Sequence, residues 1–148
     1  MRKDIHLMQH DEMIGKVQAL AQLPGRGPAD RATRAVLSTL AERVPSGLAE
    51  HMAAQLPPEL AASVRQAADN SAGEPANPST ERFDLATFAG RIAGRAGTDD
   101  DTAVREAAAV LEVLDAALAP ELMEHVAGAL PADIRELLPA GRAAEDAD

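Results

Sequence analysis

Two histidines with a repeated context are the residues of this chain best suited to chemistry. LAEHMAAQLPPEL, residues 48–60, returns as LMEHVAGALPADI at 122–134, so Glu-His-x-Ala-x-x-Leu-Pro is written twice. Histidine binds metals and moves protons near neutral pH, and a repeat would place His51 and His125 in equivalent positions. A metal site wants three or four ligands, and the nearby candidates are only Glu50, Gln55, Glu121 and Glu124. Helical spacing puts Leu48, Met52 and Leu56 on one apolar stripe, with His51 at its border. A border histidine packs its ring and shows a nitrogen to water, so packing is the expectation for the pair, with metal chemistry at His51 and His125 the less favoured alternative.

The other candidates are weaker. His6 and His10 lie four apart in HLMQHDE, on one face of a helix, but no third ligand is specified. Asp99, Asp100 and Asp101 lack the alternating ligands, mid-loop glycine and terminal glutamate of an EF-hand. They suit the positive end of a helix instead, with Thr98 and Asp101 resembling a capping box. The serines sit in no nucleophile-elbow context, and the glycines of PGRGP form neither a phosphate loop nor a dinucleotide fingerprint. With no cysteine in the chain, thiolate chemistry and disulfides are excluded. No catalytic residue and no cofactor is therefore expected, and the chain reads as a non-enzyme.

The elements that must position these residues are helices. Of 148 residues 46% are apolar, carried by Ala, Leu and Val, with only Phe83 and Phe88 as aromatics. Ala and Leu are strong helix formers, and no strand pattern competes. The first helix is expected over 10–22, closed by the Pro-Gly-x-Gly-Pro turn at 24–28. A second over about 29–44 carries Thr33, Leu37, Leu40 and Val44 on one face; Arg31 and Arg34 fall in its first turns. A short third helix at 46–55 has Ser46 as N-cap, and its counterpart at 120–129 has Pro120 in its first turn. The Leu-Pro pairs, Leu56 with Pro57 and Leu130 with Pro131, read as corners leading into fourth helices. Proline disfavours helical geometry at the residue before it and fits the start of the next helix. Glu59 and Asp133 then meet the dipole of those helices.

Sliding the sequence by 74 residues superposes Leu37, Leu40, Leu48, Leu56 and Leu60 on Leu111, Leu114, Leu122, Leu130 and Ile134, an internal repeat. The expected organisation is a single domain over 1–148, with repeats at 10–68 and 83–139, a linker at 69–82 and a disordered acidic tail at 140–148. The fold expected is all-α, a compact bundle of about eight helices from two duplicated four-helix units. One unit of this size has little interior, and pairing two increases burial. The core should comprise those ten residues together with Phe88 and Leu118.

Net charge is −10, and residues 69–148 carry 6 basic against 17 acidic side chains. Such a surface repels phosphate backbones, and few aromatics are present to stack on bases, so nucleic acid is disfavoured. No segment approaches a membrane span and none resembles a secretion signal, so no membrane partner and a cytoplasmic location are expected. A protein partner with a basic surface fits better, with Asp99, Asp100, Asp101 and Glu124 as contact residues. The chain itself is expected to be a monomer or homodimer. An apolar cavity between units that binds a small molecule is the alternative.

Three stretches carry a family resemblance: RATRAVLSTLAERV at 31–44, ERFDLATFAGRIAGRAG at 81–97, and the two copies of Leu-Pro-x-acid-apolar. Over about residues 10–139 the chain resembles the prokaryotic family known as domain of unknown function 2267. There Arg-Phe-x-Leu-x-x-Phe opens the second of two helical units and Leu-Pro-x-Glu closes each helical pair. The resemblance implies an all-helical bundle of two related units, and it implies no activity, cofactor or functional residue.

Overall fold

The computed structural model of the chain describes residues 9–72 and 84–138. Every regular element among them is a helix: α1 (His10–Ala21), α2 (Arg26–Arg43), α3 (Ser46–Ala54), α4 (Pro58–Ala72), α5 (Leu85–Ala96), α6 (Asp100–Ala117), α7 (Pro120–Gly128) and α8 (Ala132–Arg135). Lengths of 12, 18 and 9 residues recur in the same order in α1 to α3 and in α5 to α7. His6, Phe83, most of the expected linker and the expected tail at 140–148 lie outside the described residues.

The helices form one compact all-α bundle, in which α1 packs on α6 as well as on α2, and α5 packs on α2 as well as on α6. The long helices α2 and α6 also meet each other, α4 covers α2 and α3, and α3 touches α7. Buried alanines such as Ala32, Ala35, Ala103 and Ala107 let these axes approach closely. Thr33 and Thr39 are fully buried, and each hydroxyl donates to the carbonyl four residues back, Ala29 and Ala35. That contact removes the cost of an unpaired hydroxyl in the core.

Of the twelve side chains expected in the core, eleven are buried. Leu48 is only half-buried, because it lies at a groove described below. Several helix ends also differ from expectation. Gln22, in the left-handed region at φ 58°, ends α1, and its amide and that of Leu23 close on the carbonyls of Ala19 and Gln18. Only Leu23, Pro24 and Gly25 then separate it from α2, which starts at Arg26 and takes Gly27 and Pro28 into its first turn. Proline is tolerated there because the first amides of a helix have no intrahelical partner. Arg31 and Arg34 therefore lie well inside α2, beyond its first turns. Helix α4 runs on to Ala72, so the first four residues of the expected linker are helical.

The caps are corrected as well. Asp99, and not Thr98, caps α6: its Oδ1 accepts from the Thr102 amide at 2.8 Å. That hydrogen bond, first of several causes, holds the Asp99 carboxyl below its ordinary value. Ser46 is the first residue of α3, following a Pro45 cap with no side-chain bond. Pro120 does open α7. Pro131 sits just before α8 in an extended conformation at φ −63° and ψ 158°, which is the corner geometry expected of the Leu-Pro pair.

Candidate functional site

Helices α3 and α7 bring the repeated histidines to one place. Both are short and amphipathic: Ala49, Met52 and Ala53 turn inward from α3, and Leu122, Met123, Val126 and Ala127 from α7. His51 and His125 fall on the outward faces and are exposed. Between them lies an open groove of about 610 Å³ lined by Pro45, Gly47, Leu48 and His51 on one side and by Glu124, His125, Gly128 and Ala129 on the other. An added Cβ at Gly47 or Gly128 would meet nothing within 4 Å, so the groove is shallow and roomy at both glycines.

A contact that sequence reasoning missed joins the two helices. Gln55, at the end of α3, accepts a hydrogen bond from the Ala119 amide at the start of α7, 2.8 Å from its Oε1. The side chain considered above as a metal ligand instead satisfies one of the free amides of a helix N-terminus. Glu50 points away from the groove, with its carboxylate gripped by the Arg65 guanidinium at 2.9 and 3.2 Å. That hydrogen-bonded pair lowers the Glu50 pKa and raises that of Arg65. Among the described residues no three His, Cys, Asp or Glu side chains gather as a metal site.

The remaining candidates are dispersed. The Nε2 atom of His10 lies 3.0 Å from Asp30 Oδ1, and Arg34 donates to the other Asp30 oxygen at 3.0 Å. Burial acts to raise the Asp30 pKa, but hydrogen bonds from Arg34 and His10 outweigh it and the group sits low. Arg34 also reaches the Glu59 carbonyl and Ser63 Oγ, tying α2 to α4. Asp100 and Asp101 are exposed in the first turn of α6. Glu124 lines the groove and the three aspartates do not; α6 itself is about 27 Å long at 1.5 Å per residue.

A second concavity, a cleft of about 260 Å³, has a polar lining, unlike the apolar cavity expected between units. Ser38, Glu42, Ser63, Gln66, Ala67 and Arg95 line it, where α2 and α4 meet α5. Arg95 donates to Thr39 Oγ1 at 2.9 Å and to Glu42 Oε2 at 2.6 Å, and Arg91 approaches Glu42 at 3.7 Å. The sequence signal was the pair Arg91 and Arg95, one turn apart on α5, but Glu42 lies 53 residues from Arg95 and no local pattern joins them.

These elements define a small all-α bundle domain with open concavities where its helices meet. No described helix is long and apolar enough to cross a membrane. The chain belongs to the family described as Uncharacterized conserved protein (DUF2267), whose model matches residues 10–137, a span that takes in all eight helices. A comparison with curated proteins finds no match.

Proposed function

We propose that the protein is a non-enzymatic interaction module that holds a basic, apolar-anchored segment of a partner protein in the groove between α3 and α7. The observation that carries this reading is the groove itself, with Leu48, Pro45 and Ala129 as apolar surface and Glu124, His51 and His125 as polar groups. The acidic excess of the second half supplies attraction for a basic segment and speeds encounter. Residues that could do other chemistry have structural engagements: His10 with Asp30, Glu50 with Arg65, Asp99 with the Thr102 amide. Among the described residues, His51, His125 and the Glu124 of the same groove do not gather as a metal site.

Selection of displayed random peptides against the chain tests this reading. The peptides recovered should be rich in Lys and Arg around an apolar anchor. They should lose at least tenfold in affinity for Gly128→Trp, which fills the groove, and should weaken with Glu124→Lys and with added salt. Peptides that bind the filled variant unchanged would end it.

The cleft at Ser38, Glu42 and Arg95 supports a second reading, a small-ligand site between the two halves. Its lining is polar, so the ligand would be polar rather than the apolar one expected from composition. Chemical-shift changes confined to Ser38, Ser63 and Gln66 on titration of a small polar ligand would favour it over the groove.

A further inference from the structure

The cleft at Ser38, Glu42 and Arg95 is lined by groups whose hydrogen-bonding capacity the fold leaves partly unused. A guanidinium carries five N–H donors in a rigid fork. Arg95 places one on Thr39 Oγ1 and one on Glu42 Oε2, which pins the group to the cleft wall with its other donors unused by protein. Ser63 Oγ accepts from Arg34 at 3.3 Å, so its own proton is available. The Ser38 hydroxyl and the Gln66 amide bond to no described residue. These donors reach one cleft from three helices: Ser38 from α2, Ser63 and Gln66 from α4, and Arg95 from α5.

Glu42 adds an acceptor beside them. Its Oε2 takes Arg95 at 2.6 Å, whereas its Oε1 faces Arg91 at 3.7 Å, beyond hydrogen-bond distance. Packing does not demand this polar set. Helices α1 and α5 are each 12 residues long, and α2 and α6 each 18. At the places of Arg95, Thr39 and Glu42, the opposite pair has Leu20 on α1 and Val113 and Ala116 on α6. Helix α1 packs on α6 and α5 on α2 alike, so the contact between halves forms without a charged group.

We propose that the cleft binds a small hydroxycarboxylate. The ligand's carboxylate takes the unused N–H groups of Arg95 and the hydroxyls of Ser38 and Ser63, and its hydroxyl donates to Glu42 Oε1. The proposal rests on the cleft being a small-ligand site, the second reading of function, and is independent of the groove. Hydrogen bonds from a guanidinium to a carboxylate are charge-assisted and strong. Glu42 repels a second negative charge, so a singly charged head group is selected over a phosphate dianion. At about 260 Å³ the cleft is smaller than the pockets that enclose drug-sized ligands, and it suits a molecule of a few carbon atoms. The side chains of Arg91, Arg95 and Glu42 are 31, 36 and 23% exposed, so such a ligand reaches them from solvent without a change of fold.

Titration of the full chain with lactate at constant ionic strength, followed by backbone amide and arginine Nε–H chemical shifts, tests this. Lactate should give saturable shifts at Ser38, Ser63, Gln66 and Arg95. Lactamide, in which a neutral amide replaces the carboxylate, should bind about tenfold more weakly, and propionate, which lacks the hydroxyl, about threefold more weakly. Arg95→Leu, which installs the residue type found at the same place in α1, should lose about tenfold in lactate affinity while keeping native dichroism. Ser38→Ala, which breaks no bond to a described residue, should lose about threefold and serves as the probe if Arg95→Leu does not fold. Equal binding of lactamide and lactate at the cleft would leave a small-ligand site but overturn the carboxylate, and equal binding of propionate would overturn the role of Glu42. No saturable shift there with any of the three ligands would end both the proposal and the reading it rests on. Unchanged lactate affinity in folded Arg95→Leu would overturn the placement of the head group.

Discussion

The carboxylate of Asp133 acts on a helix that begins 48 residues upstream of it. Its position in Leu-Pro-x-acid places it in the first turn of α8, which is where the sequence puts it, but its Oδ2 accepts from the Leu85 amide at 2.9 Å. Asp84 takes the Thr87 amide at 3.0 Å, so two carboxylates satisfy free amides at the start of α5. Asp133→Ala should therefore lower stability by about 1.5 kcal/mol, the worth of a hydrogen bond to a charged group, and Asp133→Asn, which keeps an acceptor, by less. Urea unfolding followed by far-UV dichroism gives the measurement; an unchanged midpoint for Asp133→Ala would show that the contact contributes nothing. Residue types at this scale were legible and their partners were not. The Leu-Pro corner follows from local geometry alone, whereas the bonds from Asp133 to Leu85 and from Gln55 to Ala119 depend on how distant helices meet. His51 and His125 lie between these cases: spacing placed them at a border, and only packing α3 beside α7 brought them to one groove.

At the scale of the element, helix faces were legible and helix ends less so. Period and stripe predicted α1 and α2, and the Leu-Pro corners predicted the starts of α4 and α8, because Leu and Ala at spacings of three and four and proline after leucine leave few alternatives. The ends failed where glycine, proline and small polar residues were read as breaks. Gly27 and Pro28 fit a first turn, and residues 69–72 continue a helix already propagating from Pro58. The end of α1 also carries a local conflict. Gln22 is the one described non-glycine residue with positive φ, at 58°, while Gly97 takes the matching position after α5 at φ 75°. A side chain in the left-handed region is disfavoured by about 1 kcal/mol relative to glycine, and glycine returns part of that through unfolded-chain entropy. Gln22→Gly should thus raise stability by about 0.5 kcal/mol, seen as a higher melting temperature in the α1 amide exchange or in dichroism. A lower melting temperature would mean that the Gln22 side chain makes a contact worth more than its backbone strain.

For the whole molecule the decisive fact is that the halves interlock. The repeated pattern pointed to two similar units and size to their pairing, but the manner in which the helices pack was not legible. Helix α1 covers part of α6, and α5 covers part of α2, so each half supplies walls to the core of the other. Leu37 and Leu40 on α2 and Leu111 and Leu114 on α6 are all fully buried, in helices that meet each other as well as the opposite short helix. Arg95 to Glu42, Arg105 to Ala21 and Gln55 to Ala119 add polar ties across the same boundary. A half of some 60 residues standing alone would expose these faces, and a chain of that length buries too small a fraction of its surface to spare them. The protein should therefore unfold in one cooperative transition, and a fragment ending at Ala72 should be largely unfolded by dichroism. Mixing it with the fragment from Asp84 onward should restore helical signal and a shared melting transition. A sharp, independent melt of the first fragment would show instead that the halves are self-sufficient and that the contacts of α1 with α6 and of α2 with α5 are secondary.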